Sequence, residues 1–223
     1  MRKQVIQAIL DKKLIAIARG IPVDMAGSIV DALQQAGIVL LETTFDLKAR
    51  HPTDSTSGMI RELISAGAPN MLIGAGTVLT VDQVKAAHDA GAAYIVSPNV
   101  NPAVIGETRK LGMVSIPGAM TPTEIIHAWE SGADFVKLFP ADDLGCRYIR
   151  NICAPISHIP LLAAGVITPE AIPGFLDAGI TAFGTAATIF PSEHVGNRNF
   201  TGMTALASQL VHAIDTWCRE NQS

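Results

Sequence analysis

Three ionisable side chains stand in runs that are otherwise apolar: Arg19 in "LIAIARG", Glu42 in "VLLETTF" and Lys137 in "DFVKLFPAD". An ammonium flanked by Phe135, Val136, Leu138 and Phe139 is costly to bury unless it is paired or neutral. Burial and a nearby guanidinium both disfavour its charged form. A lysine that is neutral part of the time attacks carbonyls and forms a Schiff base. The resulting iminium is an electron sink for breaking or making the adjacent carbon–carbon bond. A carboxylate such as Glu42 can move the protons that these steps require, and a guanidinium such as Arg19 can clamp a carboxylate through two parallel hydrogen bonds. Each residue also has a plainer reading, as a snorkelling lysine or as a member of a structural ion pair.

These groups can act together only if the chain brings their strands side by side. Eight β-rich runs recur: residues 14–20, 39–45, 71–77, 94–98, 114–119, 135–140, 160–165 and 182–186. Most are continuous rather than alternating, as expected of parallel strands covered on both faces. Between them lie helix patterns, five of which end at a glycine suited to a left-handed C-terminal residue ("QQAGI", "ISAGA", "HDAGA", "ESGAD", "LDAGI"). "TPTE" places Thr121 as N-cap, Pro122 in the first helical position and Glu124 in a capping box. "ITPEAIPGFL" repeats the start with Thr168 and Pro169, and Pro173 is expected to shorten or bend that helix.

This order predicts an α/β fold, a single (β/α)₈ TIM barrel with an extra N-terminal helix. One domain spans 1–223: a helix over 1–13, barrel strands and helices over 14–187, and a loop and C-terminal helix over 188–223. A doubly wound open sheet is the rival, but "ARGIPVD" after the first strand lacks that fold's glycine-rich fingerprint. Barrel active sites lie at the C-terminal strand ends. Arg19, Thr77, Pro98 and Gly165 all fall there, with Glu42 late in its strand and Lys137 in the sixth.

Composition excludes several partners. Of 223 residues, 48% are hydrophobic and 16% charged, so an extensive interior is expected. The formal net charge is −4 without a basic block, which argues against nucleic acid. No apolar run reaches the roughly 18 residues of a membrane span, and the first 13 residues lack a signal peptide's cleavage pattern. Cys146, Cys153 and Cys218 fit no metal or redox spacing and read as reduced thiols of a cytoplasmic protein. The six histidines show no ligand spacing, so neither a catalytic metal nor any other cofactor is expected.

"LLETTF", "LIGAGTVLT", "YIVSPNV", "IPGAMTPTE" and "FVKLFPAD" together resemble the 2-keto-3-deoxy-6-phosphogluconate / 4-hydroxy-2-oxoglutarate aldolases over roughly residues 14–187. The resemblance implies a metal-independent class I aldolase, usually a homotrimer, that cleaves a 2-keto-4-hydroxy acid to pyruvate and an aldehyde. It implies Lys137 as the Schiff-base lysine and Glu42 as the general acid/base. Thr77 and Pro98 would line the pyruvyl group, Phe139 the wall beside the lysine, and Arg19 would face the substrate.

Two departures from the family pattern stand out. Some members carry an arginine four residues after the glutamate, where this chain has Asp46. Phosphate-using members carry a Gly-Gly pair after the seventh strand and a Gly-x-Gly-Ser-like turn after the eighth. Here Gly165 and Gly184 remain, while Val166, Ala186 and Ala187 stand in the other places, with Thr185 and Thr188 as the nearby hydroxyls. A β-branched Val where backbone must approach an anion argues against a phosphate nest. Two other readings remain open from sequence: a barrel isomerase or synthase using Lys137 electrostatically, and a keto-acid-binding relative without turnover. In the polar stretch after the second strand, Lys48, Arg50 and His51 could meet an acidic substrate tail, but the plainer reading has Asp54 or Ser55 capping the next helix and those three in a solvated loop.

Overall fold

The computed structural model describes residues 1–67 and 70–221. Nine strand segments form one parallel sheet: β1 (Leu14–Ala18), β2 (Leu40–Thr44), β3 (Leu72–Gly76), β4 (Tyr94–Val96), β5 (Val114–Ile116), β6 (Gly118–Ala119), β7 (Val136–Leu138), β8 (Leu161–Gly165) and β9 (Ala182–Thr185). The spatial order runs β5-β4-β3-β2-β1-β9-β8-β7-β6. Its two ends, β5 and β6, are halves of the single run "VSIPGA", so the barrel closes through the chain itself.

The ninth segment arises at Pro117, which has no N–H to give a ladder. Before it, the Ile116 carbonyl accepts from Ser97 N at 3.1 Å; after it, the Pro117 carbonyl accepts from Lys137 N at 2.8 Å. Gly118 then pairs with Lys137. A Cβ on Gly118 would lie 2.5 Å from the Pro98 carbonyl oxygen, so glycine permits this close approach.

Around the sheet run α1 (Arg2–Lys12), α2 (Ala26–Gln35), α3 (Pro52–Gly67), α4 (Val81–Asp89), α5 (Pro102–Lys110), α6 (Pro122–Glu130), α7 (Ala141–Cys153), α8 (Ile172–Asp177), α9 (Ser192–Gly196) and α10 (Phe200–Glu220). The α6 capping box forms as its sequence predicts. Two starts differ. Thr168 makes no side-chain cap; Pro169–Ala171 form a 3₁₀ turn, and Pro173 sits in the first turn of the separate helix α8. α3 begins at Pro52, ahead of both expected caps, and Ser55 N donates to the His51 carbonyl inside its first turn.

Strand periodicity divides the apolar residues into two layers. Leu41, Ile73, Ile95, Val136, Ala163 and Phe183 face the helices. Ile15, Leu40, Tyr94, Val114, Phe135 and Leu162 fill the barrel. The stripe Val5 and Ile9 of α1 packs into this inner layer and plugs the N-terminal mouth. Arg2 of α1 donates to Asp134, which also accepts from Arg109 at 3.3 Å and from Ser115 N at 3.0 Å. One buried carboxylate thus ties α1 and α5 to the entry of β7.

Glu42, Gly74 and Tyr94 are register partners on three neighbouring strands, all on the inner face. A Cβ on Gly74 would lie 2.2 Å from the Tyr94 ring, so the missing side chain makes the space that the ring fills. Gly74→Ala is expected to destabilise the protein by about 1–3 kcal/mol through overpacking. Adding Tyr94→Leu should recover part of that loss, giving a coupling of at least about 0.5 kcal/mol in a urea-unfolding double-mutant cycle.

Candidate active site

Glu42 shares the parity of Leu40, and Lys137 that of Phe135, so both project into the barrel at its C-terminal half. Their exposures are 2% and 6%. Glycine also makes room for the carboxylate: a Cβ on Gly76 would lie 1.7 Å from Glu42 Oε1. No other residue fits at Gly76 while Glu42 keeps its place.

Burial shapes the charge states of both groups. It is the main cause of the lowering of the Lys137 ammonium's pKa; the Glu42 carboxylate opposes that shift and the Arg19 guanidinium adds to it. Burial raises the Glu42 pKa, against the pull of Lys137 and Arg19. Both shifts favour a neutral amine beside a protonatable carboxyl, the pairing that nucleophilic attack and proton transfer require. The Lys137 Nζ also lies 4.9 Å from the centroid of the Phe139 ring, which is 42% exposed.

Above Lys137 opens a pocket of about 290 Å³ at the C-terminal ends of β1, β7, β8 and β9. Arg19, Lys137, Phe139, Gly165 and Gly184 line it, as do Val166, Ala186 and Ala187. Arg19 follows the end of β1 and is exposed at the mouth rather than buried in the strand. Thr77 and Pro98 stand apart from this lining, each just past the end of its strand. Thr77 has φ 59°, a left-handed conformation that costs a β-branched residue on the order of 1–3 kcal/mol. Its neighbour Val78 N donates to the Val96 carbonyl at 3.2 Å, which helps hold that turn. Pro98 is exposed, and its carbonyl packs on Gly118. Asp46 is exposed and accepts the Lys48 N–H at 3.0 Å, organising its own turn.

Sequence reasoning missed Asp142, Asp143 and Tyr94. The two aspartates follow Ala141 in the first turn of α7 and line the pocket. They look in sequence like ordinary acidic residues of a first helical turn. Tyr94 is fully buried below Glu42, and its hydroxyl has no protein hydrogen-bond partner among the described residues. Its signal was a phenol in an apolar run at inward parity. Among the described residues, no cluster of three or more His, Cys, Asp or Glu side chains could hold a metal ion. No helix among them is long and apolar enough to cross a membrane.

A parallel (β/α) barrel with a buried amine lining a C-terminal pocket and a buried carboxyl group coupled to it defines the class: a barrel enzyme equipped for Schiff-base chemistry. Residues 5–206 match the KDPG and KHG aldolase family. The chain belongs to that family. It is similar to a probable 2-dehydro-3-deoxy-6-phosphogalactonate aldolase of Rhizobium meliloti (strain 1021), with 34% identity over 89% of this chain and 92% of the relative. It is also similar to the 2-dehydro-3-deoxy-6-phosphogalactonate aldolase of Escherichia coli (strain K12), with 35% identity over 79% of this chain and 84% of the relative. A solved structure described as native KDPGal superposes with a TM-score of 0.83 at 32% identity, covering 92% of this chain and 96% of that one. The protein is therefore a carbon–carbon lyase, a class I aldolase that splits a 2-keto-4-hydroxy acid into pyruvate and an aldehyde through a lysine Schiff base.

The Lys137 shift carries a stability signature. The folded state binds this proton less tightly than the unfolded chain, whose value is 10.5. Between the lowered value and 10.5 the unfolded chain holds more protons, so stability from this group rises with pH. Lys137→Met should lose that alkaline rise, giving a flatter profile than wild type in urea unfolding across neutral to alkaline pH.

Proposed function

We propose that Lys137 is the Schiff-base lysine and Glu42 the general acid/base of this aldolase. The observation that carries the reading is their joint burial in the barrel interior, with Lys137 lining the pocket, the amine's pKa lowered and the carboxyl's raised. The neutral Lys137 amine attacks the C2 carbonyl of the keto acid, and loss of water gives the iminium. Glu42 takes the C4 hydroxyl proton as the C3–C4 bond breaks. The bond's electron pair passes into the iminium, giving an enamine and a free aldehyde. Glu42 returns a proton to C3, water adds to the renewed iminium, and pyruvate leaves as the amine is regenerated.

Arg19 clamps the substrate carboxylate in this reading, Thr77 and Pro98 lie beside the pyruvyl group, and Phe139 forms the wall beside the lysine. Gly165 and Gly184 line the pocket beside the aldehyde portion. The relatives' names support a 2-keto-3-deoxy sugar acid as the substrate class. Family resemblance further supports one barrel domain, a cytoplasmic homotrimer, and no nucleic-acid, membrane or cofactor partner. Light scattering should return three times the 23.5 kDa chain mass.

Borohydride reduction in the presence of pyruvate should attach the three-carbon adduct to Lys137, located by peptide mass mapping. Wild-type protein that takes no adduct refutes the covalent mechanism, and an adduct on another lysine refutes the assignment. Glu42→Gln should lower kcat by about 10²–10⁴-fold while the adduct with pyruvate still forms.

A further inference from the structure

The pocket carries charges of both signs. Two cations, Arg19 and Lys137, and two carboxylates, Asp142 and Asp143 of the first turn of α7, line it. Val166, Ala186 and Ala187 contribute only apolar side chains.

Two donors of the loops after β8 and β9, which frame the end of the pocket beside Asp142, are already engaged. The Val166 N–H donates to Asp142 Oδ2 at 3.1 Å. The same carboxylate rests directly on Gly165, where a Cβ would lie 2.0 Å from Oδ1. The Thr185 hydroxyl donates to the Gly165 carbonyl at 2.9 Å, and Thr188 Oγ1 lies 3.0 Å from Thr185 Oγ1. An anion entering here would meet a carboxylate on the Val166 amide, with the Thr185 hydroxyl turned into the protein. A like-charged neighbour disfavours that anion, whereas a hydroxyl can donate to Asp142.

We propose that this end of the pocket takes an uncharged, hydroxylated tail, and that Asp142 is the residue that sets this specificity. The substrate class is then an unphosphorylated 2-keto-3-deoxy sugar acid, in contrast to the phosphorylated acids in the relatives' names. The proposal rests on the aldolase reading for which end of the substrate reacts, but not on turnover for its test.

Two measurements separate the tail from the chemistry. Titration calorimetry on wild type compares a 3-deoxy aldonate with its 6-phosphate, ligands that bind without a carbonyl to trap. Pyruvate-release assays compare kcat/KM for the matching 2-keto-3-deoxy acids. Wild type is expected to favour the unphosphorylated compound by at least about tenfold in both, a modest charge-repulsion effect. Asp142→Asn keeps an oxygen for the Val166 N–H and removes the charge, and it should move the preference towards the phosphorylated compound by at least about tenfold. Ala187→Lys, at an exposed lining position, should move it the same way without touching α7. Preference for the phosphorylated aldonate by wild type overturns the proposal, as does a binding ratio that neither variant moves. Failure of pyruvate to label Lys137 instead strikes the mechanism and leaves the binding comparison to decide the tail.

Discussion

Withdrawing an amine from water lowers its affinity for a proton, and this barrel is built around that effect. Lys137 and Glu42 are withdrawn together into an apolar interior, and their opposite shifts share one cause, the cost of charge away from solvent. A buried pair of this kind is weak as a source of stability. Its cost is offset by the surrounding inner layer and by the α1 plug, which closes the far mouth with Val5 and Ile9. Shape is as necessary as polarity. Gly74 admits the Tyr94 ring and Gly76 admits the Glu42 carboxyl, so two absent side chains on β3 decide where the inward groups of β4 and β2 can lie.

Barrel closure reaches the same site from the other side. Pro117 interrupts its strand, and the carbonyl it leaves accepts the backbone N–H of Lys137. The Lys137 backbone is therefore fixed at the seam where the sheet joins itself. Its side chain is confined between Phe139 and the interior. Positioning the lysine and closing the barrel are one structural event.

Beyond the lysine the constraint relaxes. The pocket is framed by loops after β7, β8 and β9, whose residues need not satisfy a barrel interior. Substitution there, as at Val166, Ala186 and Ala187, changes what the substrate's tail meets and leaves the buried pair untouched.

The chain's periodicities determined most of the architecture, because burial on both faces of parallel strands leaves long apolar runs, and glycine marks the helix ends between them. The same patterns singled out Lys137 and Glu42, since a charge in such a run has few innocent explanations. They did not reveal the split at Pro117 or the beginning of α3 at Pro52, and at Pro173 they anticipated a shortened or bent helix rather than the separate helix α8 that starts at Ile172. A proline's effect depends on which neighbour its missing N–H would have met. Nor did sequence distinguish Asp142 from any acidic residue in a first helical turn. Only the fold laid its carboxylate on Gly165 and the Val166 amide, residues more than twenty positions away. Strand parity is a local property that sequence carries by itself, whereas which loop donors remain free for a ligand is a long-range property that only the closed barrel decides.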